Sequence, residues 1–327
     1  MIKLRHLAVL VALPLSAWAA DPALLRLVMP DAKVIAGIQV DQTRNSLFGQ
    51  YVISHMQVDD AGFQDFIAQT GFDPRRDVSE LLIASNWESN TPQSRWLVMA
   101  RGSFDLAKIG HVAEGHGITI DNFQGIELLT FAGHAKQDVV NAIAFFDTTS
   151  AVMGDLASVQ AAIERQKSGA APSNQLLAKV KDLSSKNDFW FVTLVPVSEF
   201  AGAMPDPNLS GAMKGNLLAA INEASGGIRF GGTVNIFAEA ITRSEKDAQA
   251  LVDVVKFVAG MVQLNRQNNP AAGQVATLLD TLDCKTAGNI TTISLAIPEL
   301  QLEQMLDTMR QQGRQARSRP AVPQGNH

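Results

Sequence analysis

The chain has 327 residues, 46% of them hydrophobic and 18% charged, a balance too apolar for a disordered protein and sufficient to bury a large core. Its formal net charge of −5 argues against nucleic acid as the main partner. A single cysteine, Cys284, excludes an internal disulfide, so stability has to come from packing.

Residues 1–19 have the three parts of a secretory signal. Lys3 and Arg5 make it positive, residues 7–15 form a short apolar core, and Ala17, Trp18 and Ala19 give a small-x-small cleavage site. That core is shorter than the about 20 residues that span a bilayer, and no later segment is apolar enough to do so. The expected product is therefore exported, periplasmic or extracellular, begins near Ala20 and carries no transmembrane segment. No cysteine near the cleavage site offers a lipid anchor. Loss of Lys3 and Arg5 makes the net charge more negative by two, to −7.

From there the pattern predicts a strand over 33–41, KVIAGIQVD, with Val34, Ala36, Ile38 and Val40 on one face. Helices are predicted over 47–56, behind Asn45 and Ser46 as caps, and over 63–70, stopped by Gly71. Strands over 79–85 and 95–100 read as a hairpin around a polar loop, and Arg101 and Ser103 lead into a helix. Strands over 117–123, 125–131 and 142–147 follow, then a helix capped by Asp155 and a polar junction over 167–174, KSGAAPSN.

The second half is predicted to open with a helix over 175–184 and an apolar strand over 189–197. A Pro-rich loop, MPDPNLS, occupies 204–210, and a helix over 215–224 is expected to stop at Ser225, Gly226 and Gly227. A hairpin of 228–234 with 236–242 runs through Arg243 and Ser244 into a helix over 245–264, with Leu251, Val252, Val255, Ala259 and Val262 as its buried stripe. A last strand over 290–297 precedes a helix from 299 to about 311 and a basic tail over 313–327, expected to be disordered, with Arg314, Arg317, Arg319, Pro320 and Pro323.

In both halves an apolar strand ends in Arg followed closely by Ser and then a helix, at Arg101 and Ser103 and again at Arg243 and Ser244. The expected fold is thus α+β, in two tandem, approximately duplicated units at 20–170 and 171–312. Each is a mainly antiparallel sheet with helices packed on one face. Three stretches carry a likeness to known proteins: PDAKVIAGIQVDQTRNSLFGQYV at 30–52, GFDPRRDVSELLIAS at 71–85 and AIAFFDTTSAVMGDLASVQAAI at 142–163. In them the mature region resembles uncharacterised exported bacterial proteins of unknown function that carry two α+β halves behind a signal peptide. The resemblance implies a non-enzymatic protein and supplies no active-site residues.

The chain holds no dinucleotide-binding glycine fingerprint, P-loop, nucleophile elbow, Cys-x-x-Cys or His-Glu-x-x-His motif. His111, Glu114 and His116, with His134 in a later loop, are the one constellation with zinc-ligand chemistry. Five residues separate His111 from His116, which puts them on different sides of a helix, so solvent-facing histidines at a helix end are the plainer reading. Asp73, Arg75, Arg76 and Asp77 read as a charged turn with local ion pairs, and Cys284 as a half-buried strand thiol. Asp121, Glu127, Asp147 and Asp155 lie near strand ends with no partner at defined spacing. No catalytic residue, cofactor or firm metal ligand is assigned. The leading expectation is a non-enzymatic structural or interaction module of the cell envelope. A carrier of a lipid or other apolar ligand, drawing on the apolar supply at 189–197 and 254–262, is the alternative, and a metal-dependent hydrolase using the His111 region is the third reading.

Overall fold

The computed structural model describes residues 19–55, 61–88, 94–115, 118–132, 140–199, 217–266 and 270–318. The first part of the chain runs α1 (Pro22–Leu27), β1 (Val34–Gln39), α2 (Val40–Asn45), α3 (Leu47–His55), α4 (Ala61–Thr70), α5 (Pro74–Asp77), β2 (Val78–Ser85) and β3 (Trp96–Gly102). It continues through α6 (Leu106–Gly115), β4 (Thr119–Phe123), β5 (Ile126–Ala132), β6 (Val140–Asp147), β7 (Ser150–Asp155) and α7 (Leu156–Ser168). Then come α8 (Leu177–Lys186), β8 (Phe189–Thr193), β9 (Ile221–Arg229), β10 (Thr233–Thr242), α9 (Glu245–Asn265), α10 (Pro270–Leu278), β11 (Asp283–Ala287), β12 (Ile290–Pro298) and α11 (Glu299–Ser318).

All twelve strands among the described residues join one antiparallel sheet, in the order β11-β12-β10-β9-β8-β1-β2-β3-β7-β6-β5-β4. The expectation of a separate sheet for each half is corrected at its centre, where β1 pairs with β8 from Val34 opposite Thr193 to Ile38 opposite Phe189. An unpaired strand edge exposes a row of backbone donors and acceptors, and joining the two edges satisfies both. Helices also lie on both faces rather than one. The reason is legible in the strands: VSELLIAS and WLVMARG are apolar at consecutive positions, so both faces carry side chains that need cover.

One face is sealed. Leu82, Met99, Val152 and Ala144 point to it together with Trp190, and α1, α7 and α8 lay Leu24, Leu27, Val159, Ile163, Val180 and Leu183 over them. Local sequence fixes these helices. Asp21 caps α1 ahead of Pro22, and Asp155 caps α7 by accepting from the Ser158 N–H at 2.9 Å, with Gly169 in the left-handed conformation at its end. Arg165 on α7 donates to the Leu27 carbonyl at 3.1 and 2.7 Å, and Asn174, in the polar junction, donates to the carbonyls of Met29, Pro30 and Ala32. Ser244 accepts from the Asp247 N–H at 3.1 Å and donates to its carboxylate at 2.8 Å, so the cap of α9 forms at the hydroxyl itself.

Other expectations change. The predicted helix over 215–224 is a 3-10 turn, Leu218–Ala220, and then strand β9. Ser225, Gly226 and Gly227 sit mid-strand: a Cβ on Gly226 would come within 2.9 Å of Phe191, and one on Gly227 within 2.3 Å of Asn187. The glycines permit close packing there rather than ending a helix. Strand β7 and helices α1, α2 and α10 are additions. Helix α11 continues to Ser318, into the stretch read as a tail, since Gln and Arg are good helix formers. The loop at 204–210 lies outside the described residues.

Candidate functional site: an apolar groove on the second face

The other face of the sheet is only partly covered. Antiparallel pairing places Leu81, Ala100, Ala151 and Phe145 in one row across β2, β3, β7 and β6. The neighbouring row on the same face is Ile83, Val98, Met153, Ile143 and Leu129. Over one end of these rows α6 packs Ile109 and Ala113, and the preceding loop contributes Phe104. Phe104 meets Phe72 at 5.5 Å and Phe145 edge-on at 5.3 Å between ring centroids, which makes an aromatic end wall.

Between that cover and the strands lies a groove of about 630 Å³. Its cause is side-chain size: two alanines, Ala100 and Ala151, stand between Leu81 and Phe145, so the floor dips where larger residues would fill it. Of the nineteen described residues that line it, only Asp65 and Gln69 carry polar side chains, and both are exposed on α4. Met153 in the floor is 37% exposed, and Ile83, beside Val98, is 47% exposed. Such a volume falls within the roughly 300–1,000 Å³ of small-molecule sites, and its lining suits an apolar ligand held by area rather than by directed hydrogen bonds.

The residues singled out in the sequence are elsewhere. His111 is exposed on α6, Glu114 follows on the same helix, and His116 and His134 lie outside the described residues. Among the described residues no group of three His, Cys, Asp or Glu side chains could hold a metal ion. Asp73 caps α5 and accepts from the Arg75 guanidinium at 2.9 and 2.7 Å, and that hydrogen bond holds its carboxyl below the usual range. Arg76 donates to Asp77 at 2.7 Å and to the Gly71 carbonyl at 2.7 Å. These four residues form the turn into β2.

The four scattered carboxylates do not converge. Asp121 and Glu127 are exposed on neighbouring strands and point to opposite faces, since Asp121 pairs with Leu128 and Glu127 with Asn122. Asp147 accepts from Thr149 in a turn, and Asp155 caps α7. Cys284 is half-buried on β11, where burial pushes its thiol up and away from the reactive thiolate. Of the two apolar stretches nominated for a cavity, 189–197 supplies the central strand β8 with its residues 189–193 and 254–262 the middle of α9, and neither is among the described residues that line the groove. The signal that marks the candidate groove is the consecutive apolar run in β2 and β3, which offers side chains to both faces, whereas α6 and α4 cover only part of this one. No helix among the described residues is long and apolar enough to cross a membrane. Compared with protein-family models, curated proteins and solved structures, the chain matches none.

Proposed function

We propose that the protein is an exported, non-enzymatic carrier that holds a lipid or similar apolar molecule in the groove over β2, β3, β7 and β6. The observation that supports this reading is the groove itself: about 630 Å³, where seventeen of the nineteen described lining residues are apolar and the other two, Asp65 and Gln69, stand on α4. An apolar surface left open in an aqueous compartment forgoes about 25 cal/mol for each Å² that could be buried, and a ligand recovers it. The test is a displacement titration of a fluorescent fatty acid, with Val98→Trp placing an indole in the groove floor. Binding about tenfold weaker in the variant, with an unchanged thermal transition, supports the carrier. Equal binding by the two proteins removes it.

A second reading, a module that docks on another envelope component, draws on a different surface. Phe257, Met261 and Leu264 on α9 recur at helical spacing and are 67%, 48% and 82% exposed. Cross-linking from position 261 to a discrete protein, abolished by Phe257→Glu, supports it.

The likeness between the halves belongs to the same proposal. From the central pair outwards, β1, β2, β3, β7 and β6 follow the order of β8, β9, β10, β12 and β11, and α6 and α9 both leave the third strand. An ancestral unit copied once, with β4 and β5 present only in the first copy, accounts for this order. The groove then belongs to the copy that carries the extra strands.

A further inference from the structure

Ala20, where the mature chain is expected to begin, is 2% exposed, and its backbone N–H donates to the hydroxyl of Ser184 on α8 at 3.1 Å. The next N–H, of Asp21, donates to both carboxylate oxygens of Glu80 on β2, at 3.1 and 3.3 Å. Glu80 is itself 7% exposed and Ser184 1%. The groups that face Glu80 are Asp21, Arg101 and Gln39, and Arg101 is already paired with the Asp21 carboxylate. With both acids ionised, buried Glu80 and the half-buried Asp21–Arg101 pair beside it are one positive charge short of neutrality.

We infer that signal-peptide removal supplies the missing charge: the α-ammonium group created on Ala20 docks between Ser184 and Glu80 as a buried ion pair. The inference rests on the export reading and is independent of any groove ligand. A signal peptidase adds water across the Ala19–Ala20 amide. Ala19 leaves with a new carboxylate, and the Ala20 nitrogen, freed of its acyl group, takes up a proton, since α-amines titrate near 8. Ala20 is out of reach of a protease in the folded chain, so cleavage precedes the docking of α1, and folding then reads whether it has occurred.

With Ala20 in amide linkage, burial pushes the Glu80 carboxyl up from 4.5 to about 7. A folded-state value above the unfolded one means stability that is present below about pH 4.5 and lost as the pH rises through 7. An adjacent ammonium favours the carboxylate and cancels that loss. The experiment compares the exported chain with a chain carrying Gly-Ser ahead of Ala20, by urea unfolding between pH 4.5 and 8. The extended chain is expected to lose roughly 100-fold in its folding equilibrium constant across that range, and the processed chain at least about tenfold less. Glu80→Gln should erase the difference between them. As a second readout that needs no variant, acylation of the Ala20 amine should be suppressed in the folded protein relative to the urea-unfolded chain. Coincident pH profiles, or an amine that reacts equally in both states, overturn the ion pair. A first residue other than Ala20 on N-terminal sequencing overturns the processing step itself.

Discussion

The two faces of the sheet start from the same kind of residue and end differently. Leu82 and Met99 point one way and are fully buried, while their chain neighbours Ile83 and Val98 point the other, and Ile83 is 47% exposed. Val152 and Met153 repeat the contrast, at 1% and 37%. What separates them is cover: three helices, α1, α7 and α8, seal the first face, whereas α6 and α4 leave part of the second open. The lesson is that apolar alternation identifies which residues a strand offers, and the number of helices delivered to each face decides whether the offer becomes core or groove.

Truncation on each face gives the sharpest test of that difference. Leu82→Ala removes three carbons from a fully packed site and is expected to destabilise by about 3 kcal/mol, whereas Ile83→Ala should cost under about 1 kcal/mol. Urea denaturation of the two variants measures both. Equal losses would mean that the second face is as well covered in solution as the first, with no open groove on it.

Adding volume to the sealed face comes next in size. Gly37 lies opposite Trp190 in the β1–β8 pair, and a Cβ there would stand 2.4 Å from the indole ring, which is wholly buried. Gly37→Ala is expected to destabilise by about 2 kcal/mol through overpacking and to alter the near-ultraviolet circular dichroism of the displaced indole. A neutral result would show that Trp190 has room to shift, and with it the seam that joins the two edges of the sheet.

Much of this architecture could be read in advance because its signals are local. Asp155 and Ser244 cap the helices expected of them, the final strand at 290–297 is β12 within a residue, and Leu251 and Val252 are buried on α9. The groove was not legible, because its shape comes from register. Ala100 and Ala151 lie 51 residues apart, and only strand pairing makes them neighbours beneath α6. The same limit explains the misplaced helix at 215–224. Gly226 and Gly227 resemble a helix stop in sequence, and their purpose appears only when Phe191 and Asn187 are brought against them. Nothing in the local sequence sets Glu80 apart from other strand carboxylates, because its burial follows from where α1 docks.

The smallest expected effect bears on whether the groove is preformed. Gly110 lies in the middle of α6, and a Cβ built on it meets nothing within 4 Å. Since glycine costs a helix interior up to about 1 kcal/mol relative to alanine, Gly110→Ala should stabilise the fold by several tenths of that amount, seen as a higher urea midpoint. Gly110 does not line the groove, although its neighbour Ile109 does, so the substitution stiffens the cover without touching a ligand. If the open groove is the binding-competent form, fatty-acid probe affinity should stay within about twofold of the unsubstituted protein. If α6 must instead lift or fray to admit the ligand, the stabilisation taxes that opening, and affinity falls by the same factor by which folding of α6 is strengthened. The two outcomes separate a face left open by design of the fold from one that opens only on demand.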